Sequence, residues 1–190
     1  MKQFTFILFL IVLVFTSCIG QRSGQQQILL QEPAVELNFT FTRLSGFSSN
    51  QFAAWIEDIN GHYVKTLYAT RWTADGGWSR RPLSLPVWVR QSNLANMSKE
   101  QIDSISGATP RGTVTLNYFW DGTNSQGDTV PYGNYILFLE GTLRGENQVL
   151  YQAPITFGQG VLSAVVGYEY TGDSITERSM ISDVSVKILR

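Results

Sequence analysis

The chain has 190 residues, with 14 basic against 15 acidic side chains and a net charge of −1, a balance that argues against nucleic acid or an anionic membrane surface as partner. One His and one Cys argue against a His/Cys metal site and exclude an intrachain disulfide. Aromatic residues reach 13% while charged residues are 15%, which favours sheets with aromatic inner faces over a helical bundle.

Lys2 precedes an apolar run from Phe4 to Phe15, followed by Thr16-Ser17-Cys18. A basic start, an apolar stretch of this length and small residues before a cut form a bacterial export signal. The run is shorter than the roughly 20 apolar residues that span a bilayer, so an uncleaved anchor is the weaker alternative. Small residues ahead of the lone Cys resemble a lipoprotein lipobox, with Phe15 where Leu is usual and Ser17 where Gly or Ala is usual. The resemblance implies a lipoprotein-type signal peptide over 1–18, a lipidated Cys18 holding the chain to a membrane, and a periplasmic location. Residues 19–33 are rich in Gln, Ser and Gly and read as a flexible tether. Residues 34–190 then form a single domain.

In 35–42 apolar and polar residues alternate strictly, which predicts a half-buried strand with Val35, Leu37, Phe39 and Phe41 inward. Two further strand-like runs, 52–59 and 62–71, are joined by Asn60-Gly61, a hairpin signal that predicts a type I′ turn. His62 leaves that turn as an exposed residue. Residues 72–89 hold Trp72, Trp78 and Trp88 with Arg80, Arg81 and two prolines, and show no lasting period. This is a long Trp-rich loop with two readings: a crossover anchored by its indoles, or a ligand-facing wall of aromatic and guanidinium groups that includes Arg71.

The helical signal lies within 89–105. Ser98 is a good N-cap, and Gln101 completes a capping box. Ile102 and Ile105 dock the short helix, Gly107 is the expected left-handed stop, and Pro110 pushes Thr109 toward extended geometry. Strand patterns resume at 113–120, 135–143, 148–157, 162–170 and 182–189. Together these predict an all-β fold: an antiparallel sandwich of about eight strands with one short helix. Tyr118-Phe119-Trp120-Asp121-Gly122 through Pro131-Tyr132-Gly133-Asn134-Tyr135 resembles the W-D-G…P-x-G-x-Y hairpin of Ig-like domains such as that of the flagellar hook-capping protein. The resemblance implies an Ig-like sandwich and carries no function with it.

Few residues fit catalysis. Most carboxylates sit beside Gly or in turns, where Asp is favoured for local hydrogen bonding. G-x-S-x-G, a P-loop and a dinucleotide fingerprint are all missing from the sequence. What remains is Asp103-Ser104-Ile105-Ser106-Gly107-Ala108-Thr109, which resembles the D-x-x-S/T-G-A-T motif of extracytoplasmic proteins that carry covalent FMN. The resemblance implies that a flavin transferase esterifies FMN to Thr109, with Asp103, Ser106, Gly107 and Ala108 as recognition residues. A threonine hydroxyl is a poor nucleophile unaided, so a separate magnesium enzyme must activate it. In that reading the Trp-rich loop stacks on the flavin, and Arg71, Arg80, Arg81 or Arg111 pairs with its phosphate.

The segments 49–58, 64–71, 105–110 and 146–151 resemble a bacterial family of periplasmic proteins of unassigned function whose genes accompany flavin transferases. The expectation is an exported, lipid-anchored carrier of FMN on Thr109. It would pass electrons to an envelope redox partner and use no metal. The alternative is a cofactor-free Ig-like binding or adaptor module of the cell envelope.

Overall fold

The computed structural model describes residues 34–46, 50–143, 147–172 and 176–189; the export signal, Cys18 and the tether lie outside them. Four strands, β1 (Val35–Phe41), β5 (Val114–Trp120), β8 (Leu162–Ala164) and β10 (Ile181–Ile188), form one sheet in the order β5-β1-β10-β8. Six others form the second: β2 (Gln51–Asp58), β3 (Tyr63–Thr70), β4 (Ser106–Gly107), β6 (Gly133–Thr142), β7 (Gln148–Phe157) and β9 (Gly167–Thr171), in the order β4-β3-β2-β6-β7-β9. The fold is the expected all-β sandwich. All pairings are antiparallel except the short parallel one between β3 and β4.

Alternation does in β1 what it predicts: Val35, Leu37, Phe39 and Phe41 are buried and the residues between them are not. Phe39 meets Phe52 of the facing sheet edge-on at 5.4 Å, and Trp120 meets Tyr135 and Phe157 at 4.9 and 4.7 Å. Burying such rings contributes the largest single share of the core's stability, roughly 25 cal/mol per Å² removed from water.

Four expectations need correction. Residues 162–170 are not one strand. The chain leaves the four-stranded sheet after Ala164 and enters the six-stranded one at Gly167, so Val165 and Val166 turn a corner between sheets. With that split and the two-residue β4, the described residues hold ten strands against the expected eight or so. The hairpin turn is not type I′, because only Gly61 has positive φ. Gly61 N–H bonds to the Asp58 carbonyl, and the Asp58 carboxylate accepts from the N–H groups of Asn60 and His62. Those bonds are the first cause that holds the Asp58 carboxyl down at about 2. His62 stays exposed at this turn.

The third correction concerns 72–89, and the fourth concerns Gly107, taken up below. The Trp-rich stretch is a helical layer packed on the outer face of the six-stranded sheet. A wide turn at Thr73–Gly77, broken at Asp75 and Gly76, leads into α1 (Trp78–Arg80) and then α2 (Pro86–Gln91), with Pro86 in the first turn where its missing N–H costs nothing. A short turn at Leu94–Asn96 precedes α3 (Lys99–Ile105), whose capping box is complete: Ser98 accepts from the Gln101 N–H, and Gln101 accepts from the Ser98 N–H. Trp55, Trp88, Leu85, Leu94 and Ala74 make a second core beneath this layer, with Ile102 and Ile105 packed against it. Hence β2 is buried on both faces, and its sequence Phe52-Ala53-Ala54-Trp55-Ile56 is a continuous apolar run instead of an alternating one.

Candidate functional site

The parallel pairing of Thr70 with Gly107 brings the end of α3 to the end of β3. Arg71, the next residue along, donates from its guanidinium to the Asp103 carboxylate at 2.7 Å. Both side chains are about half-exposed. Lys99, one turn earlier on α3, stands 4.0 Å from the same carboxylate and 3.9 Å from Asp75. The Tyr68 hydroxyl donates to the Ala108 carbonyl oxygen at 2.8 Å. Burial pushes the Tyr68 phenol up and the nearby Arg71 charge pulls it back, so it stays a donor at neutral pH. On the other side, Arg43 reaches the Pro110 carbonyl at 3.4 Å. Two main-chain carbonyls are thus held on either side of Thr109.

Gly107 is the fourth correction. It lies in a strand, outside the left-handed region, and the helix ends at an extended Ser106. The glycine is needed for space: a Cβ there would sit 2.8 Å from the Tyr68 hydroxyl oxygen and 2.9 Å from its ring. Tyr68 cannot retreat easily, because it stacks on Phe52 at 5.3 Å and on Tyr118 at 4.9 Å. Thr109 itself is partly exposed, and its hydroxyl makes no hydrogen bond among the described residues. The Ser106 hydroxyl is buried without a partner. Among the described residues, neither the Thr109 hydroxyl nor the Ser106 hydroxyl three positions earlier is taken up by local packing.

The remaining candidates separate into two places. Trp72 lies at the same end of the sheet as Thr109, half-buried, with the Arg80 and Arg81 guanidinium groups 5.7 and 5.4 Å from its ring centroid. Arg81 also donates to the Leu143 carbonyl and the Thr142 hydroxyl, which fastens the helical layer to the end of β6. Trp78 is half-buried against the second core, and Trp88 is fully buried with its indole N–H bonded to the Thr66 hydroxyl at 2.9 Å. Arg111 is exposed two residues beyond Thr109. The structure therefore gathers Asp103, Ser106, Gly107, Ala108, Thr109 and Arg71, and leaves Trp88 in the core. Tyr68, Lys99 and Arg43 join the site without any sequence motif to announce them.

Two buried carboxylates lie on the sheet face beneath the helices. Glu57 accepts from the Trp55 indole at 2.6 Å and from Gln91. Glu140 accepts from the main-chain N–H groups of Val87 and Trp88 and from the Gln148 amide. Burial pushes Glu140 up to about 7 despite these donors. In the β2–β6 register the two are four positions apart, roughly 13 Å, with the stacked Trp55–Phe138 pair between them. They do not face each other across a pocket, so they are unsuited to paired acid–base work.

A cleft of about 560 Å³ opens along the flank of β3, between α3 and the β5 end, lined by Tyr63, Ser92, Met97, Gln101, Ile105 and Phe119 among others. The Ser92 hydroxyl in its wall is buried and unpartnered.

Residues 33–173 match the model of a family described as predicted periplasmic protein (DUF2271). No curated protein and no solved structure matches the chain.

Proposed function

The chain belongs to the predicted periplasmic protein family DUF2271, and from an extracytoplasmic location we propose that it is a flavin carrier, bearing FMN esterified to Thr109 and held at the membrane through Cys18. The observation that carries this reading is the state of the threonine: it ends a complete D-x-x-S-G-A-T segment, it is partly exposed, and its hydroxyl is unpaired among the described residues. The attachment balances simply. The Thr109 oxygen attacks the FMN-side phosphorus of FAD, a new P–O ester bond forms, the diphosphate P–O bond breaks, and AMP leaves. The hydroxyl proton passes to a base on the magnesium-dependent transferase.

This chain's residues prepare the acceptor. Tyr68 and Arg43 hold the carbonyls on either side of Thr109, Gly107 keeps its surroundings narrow, and Arg71 and Lys99 supply positive charge beside Asp103. Bound flavin supplies reversible one- and two-electron chemistry, which suits a module that relays electrons to an envelope partner. Co-expression with a flavin transferase and intact-mass analysis tests the reading: wild type gains one FMN, and Thr109→Ala gains none.

A second reading, a cofactor-free binding module, is favoured by the cleft with its buried, unpartnered Ser92. A protein that stays colourless after co-expression yet binds envelope glycans, with binding lost in Phe119→Ala, favours that reading.

A further inference from the structure

The sandwich has two distinct ends. At one end lie Val35, Trp120 and Ile188, paired in register, with Tyr135 edge-on and Phe157 tilted against Trp120 from the facing sheet. The preceding chain joins here, since Ala34 accepts a hydrogen bond from Leu189. At the other end lie Phe41, Val114 and Ile181, and the segment holding Thr109. The seven residues of β1 separate the ends by roughly 20 Å.

Exposed apolar side chains are not shared evenly between them. Ile59 on the β2–β3 turn, Phe119 near the end of β5, Tyr132 before β6, and Val161 and Leu162 after β7 all stand at the end where the N-terminal segment joins. Tyr132 is 69% exposed and Val161 65%. Leu162 pairs with Ile188, which pairs with Val35, so it lies two strands from the point of entry. Val165 and Tyr168 continue the surface up the flank, where an open groove of about 610 Å³ includes Pro154 and Leu162. At the Thr109 end Leu83 alone is comparable among the described residues.

We infer that this end is a membrane seat: Tyr132, Val161, Leu162, Phe119 and Ile59 rest on the lipid surface, and Thr109 points away from it. The inference rests on the proposed attachment through Cys18. The occupant follows from what precedes Ala34: a tether of 15 residues and, before it, a lipidation candidate and an apolar run. Fifteen residues span at most roughly 50 Å even fully extended, so the domain is held at high effective concentration over the bilayer. Under that condition a few apolar side chains decide which end faces down. Aromatic and aliphatic groups of this kind settle at the interface between headgroups and acyl chains. Asp58, Asp121 and Asp128 stand at the same end; Lys65 is paired with Asp121, and the exposed Lys187 lies across from Glu36 in the strand register. The contact is therefore apolar and does not draw on anionic lipids.

The test uses full-length protein in phosphatidylcholine vesicles, with nitroxide labels on Val161→Cys, Tyr132→Cys and, as control, Leu83→Cys. The expected result is several-fold greater accessibility to oxygen relative to a water-soluble nickel chelate at residues 161 and 132 than at 83, unchanged in high salt. Membrane-bound protein whose three labels are equally water-accessible overturns the inference while leaving attachment intact. Spin–spin broadening between labels at 161 assigns the surface to a second copy and also overturns it. Recovery of the wild type in the soluble fraction overturns the attachment and the seat together.

Discussion

Tyr68 and Gly107 occupy each other's space: the phenol lies where a side chain at 107 would be, and its hydroxyl then bonds to the next residue's carbonyl at 2.8 Å. The glycine of the motif is thus set by an aromatic residue almost forty positions earlier. Gly107→Ala should destabilise the fold by roughly 1–3 kcal/mol, as an overpacked position does, and should lower flavin loading as well. Urea midpoints and adduct yield measure the two effects. A substitution neutral in both would mean that Tyr68 does not hold the segment.

The Arg71–Asp103 pair separates stability from recognition. Both side chains are about 45% exposed, so the pair is worth less than about 1 kcal/mol. Asp103→Asn and Arg71→Ala should leave the urea midpoint almost unchanged and still reduce flavin transfer to Thr109. Equal loading of these variants and wild type, under limiting transferase, contradicts a recognition role.

Glu140 predicts an unusual pH dependence. Its carboxyl is raised from 4.5 to about 7 by burial. Between those values the folded chain holds a proton that the unfolded chain has released, so stability falls as pH rises through the window and levels off above it. The slope from this one group is at most about 1.4 kcal/mol per pH unit. Asp58 acts lower, since its depressed carboxyl contributes stability that is lost below the ordinary value of 3.8. Glu140→Gln should flatten the dependence between pH 4.5 and 7, measured by denaturation at several pH values. It should also cost roughly 1–3 kcal/mol, because one carboxamide cannot accept from donors on both sides. A wild-type curve that rises through the window would contradict the assignment.

Trp88 anchors the helical layer. Trp88→Ala should cost about 3–5 kcal/mol, whereas Trp88→Phe should lose mainly the indole bond to Thr66, about 1 kcal/mol. Hydrogen exchange should then speed up over residues 73–105 before it does in β1 or β10. Uniform loss of protection would mean that the layer does not open as a separate unit.

The sandwich was legible wherever one face of a strand meets water. In β1 and β5 the period of two is visible because the outer residues, Phe119 apart, are polar. It fails at β2, where a helical layer covers the second face and five successive residues are apolar. The Trp-rich stretch gave no period because its helices are only three to six residues long and packed by indoles from several turns. The strand at 162–170 was misread because the alternating pattern runs straight through the corner at Val165–Val166. The site was legible as a motif, yet its supports were not. Tyr68 and Arg43 lie far away in sequence, and nothing local distinguishes them from other strand and loop residues. Gly107 was expected as a helix stop, a role that sequence position alone favours. Packing against Tyr68 is the actual reason for it. The capping box at Ser98 and Gln101 depends on four consecutive residues, and it appears as read.

The central claim is that Thr109 is an acceptor for covalent flavin. Intact mass of the protein co-expressed with a flavin transferase measures it directly. The expected result is the mass of one FMN less water on wild type and on Thr109→Ser, and no increment on Thr109→Ala. An unmodified wild type, or the same increment on Thr109→Ala, contradicts it.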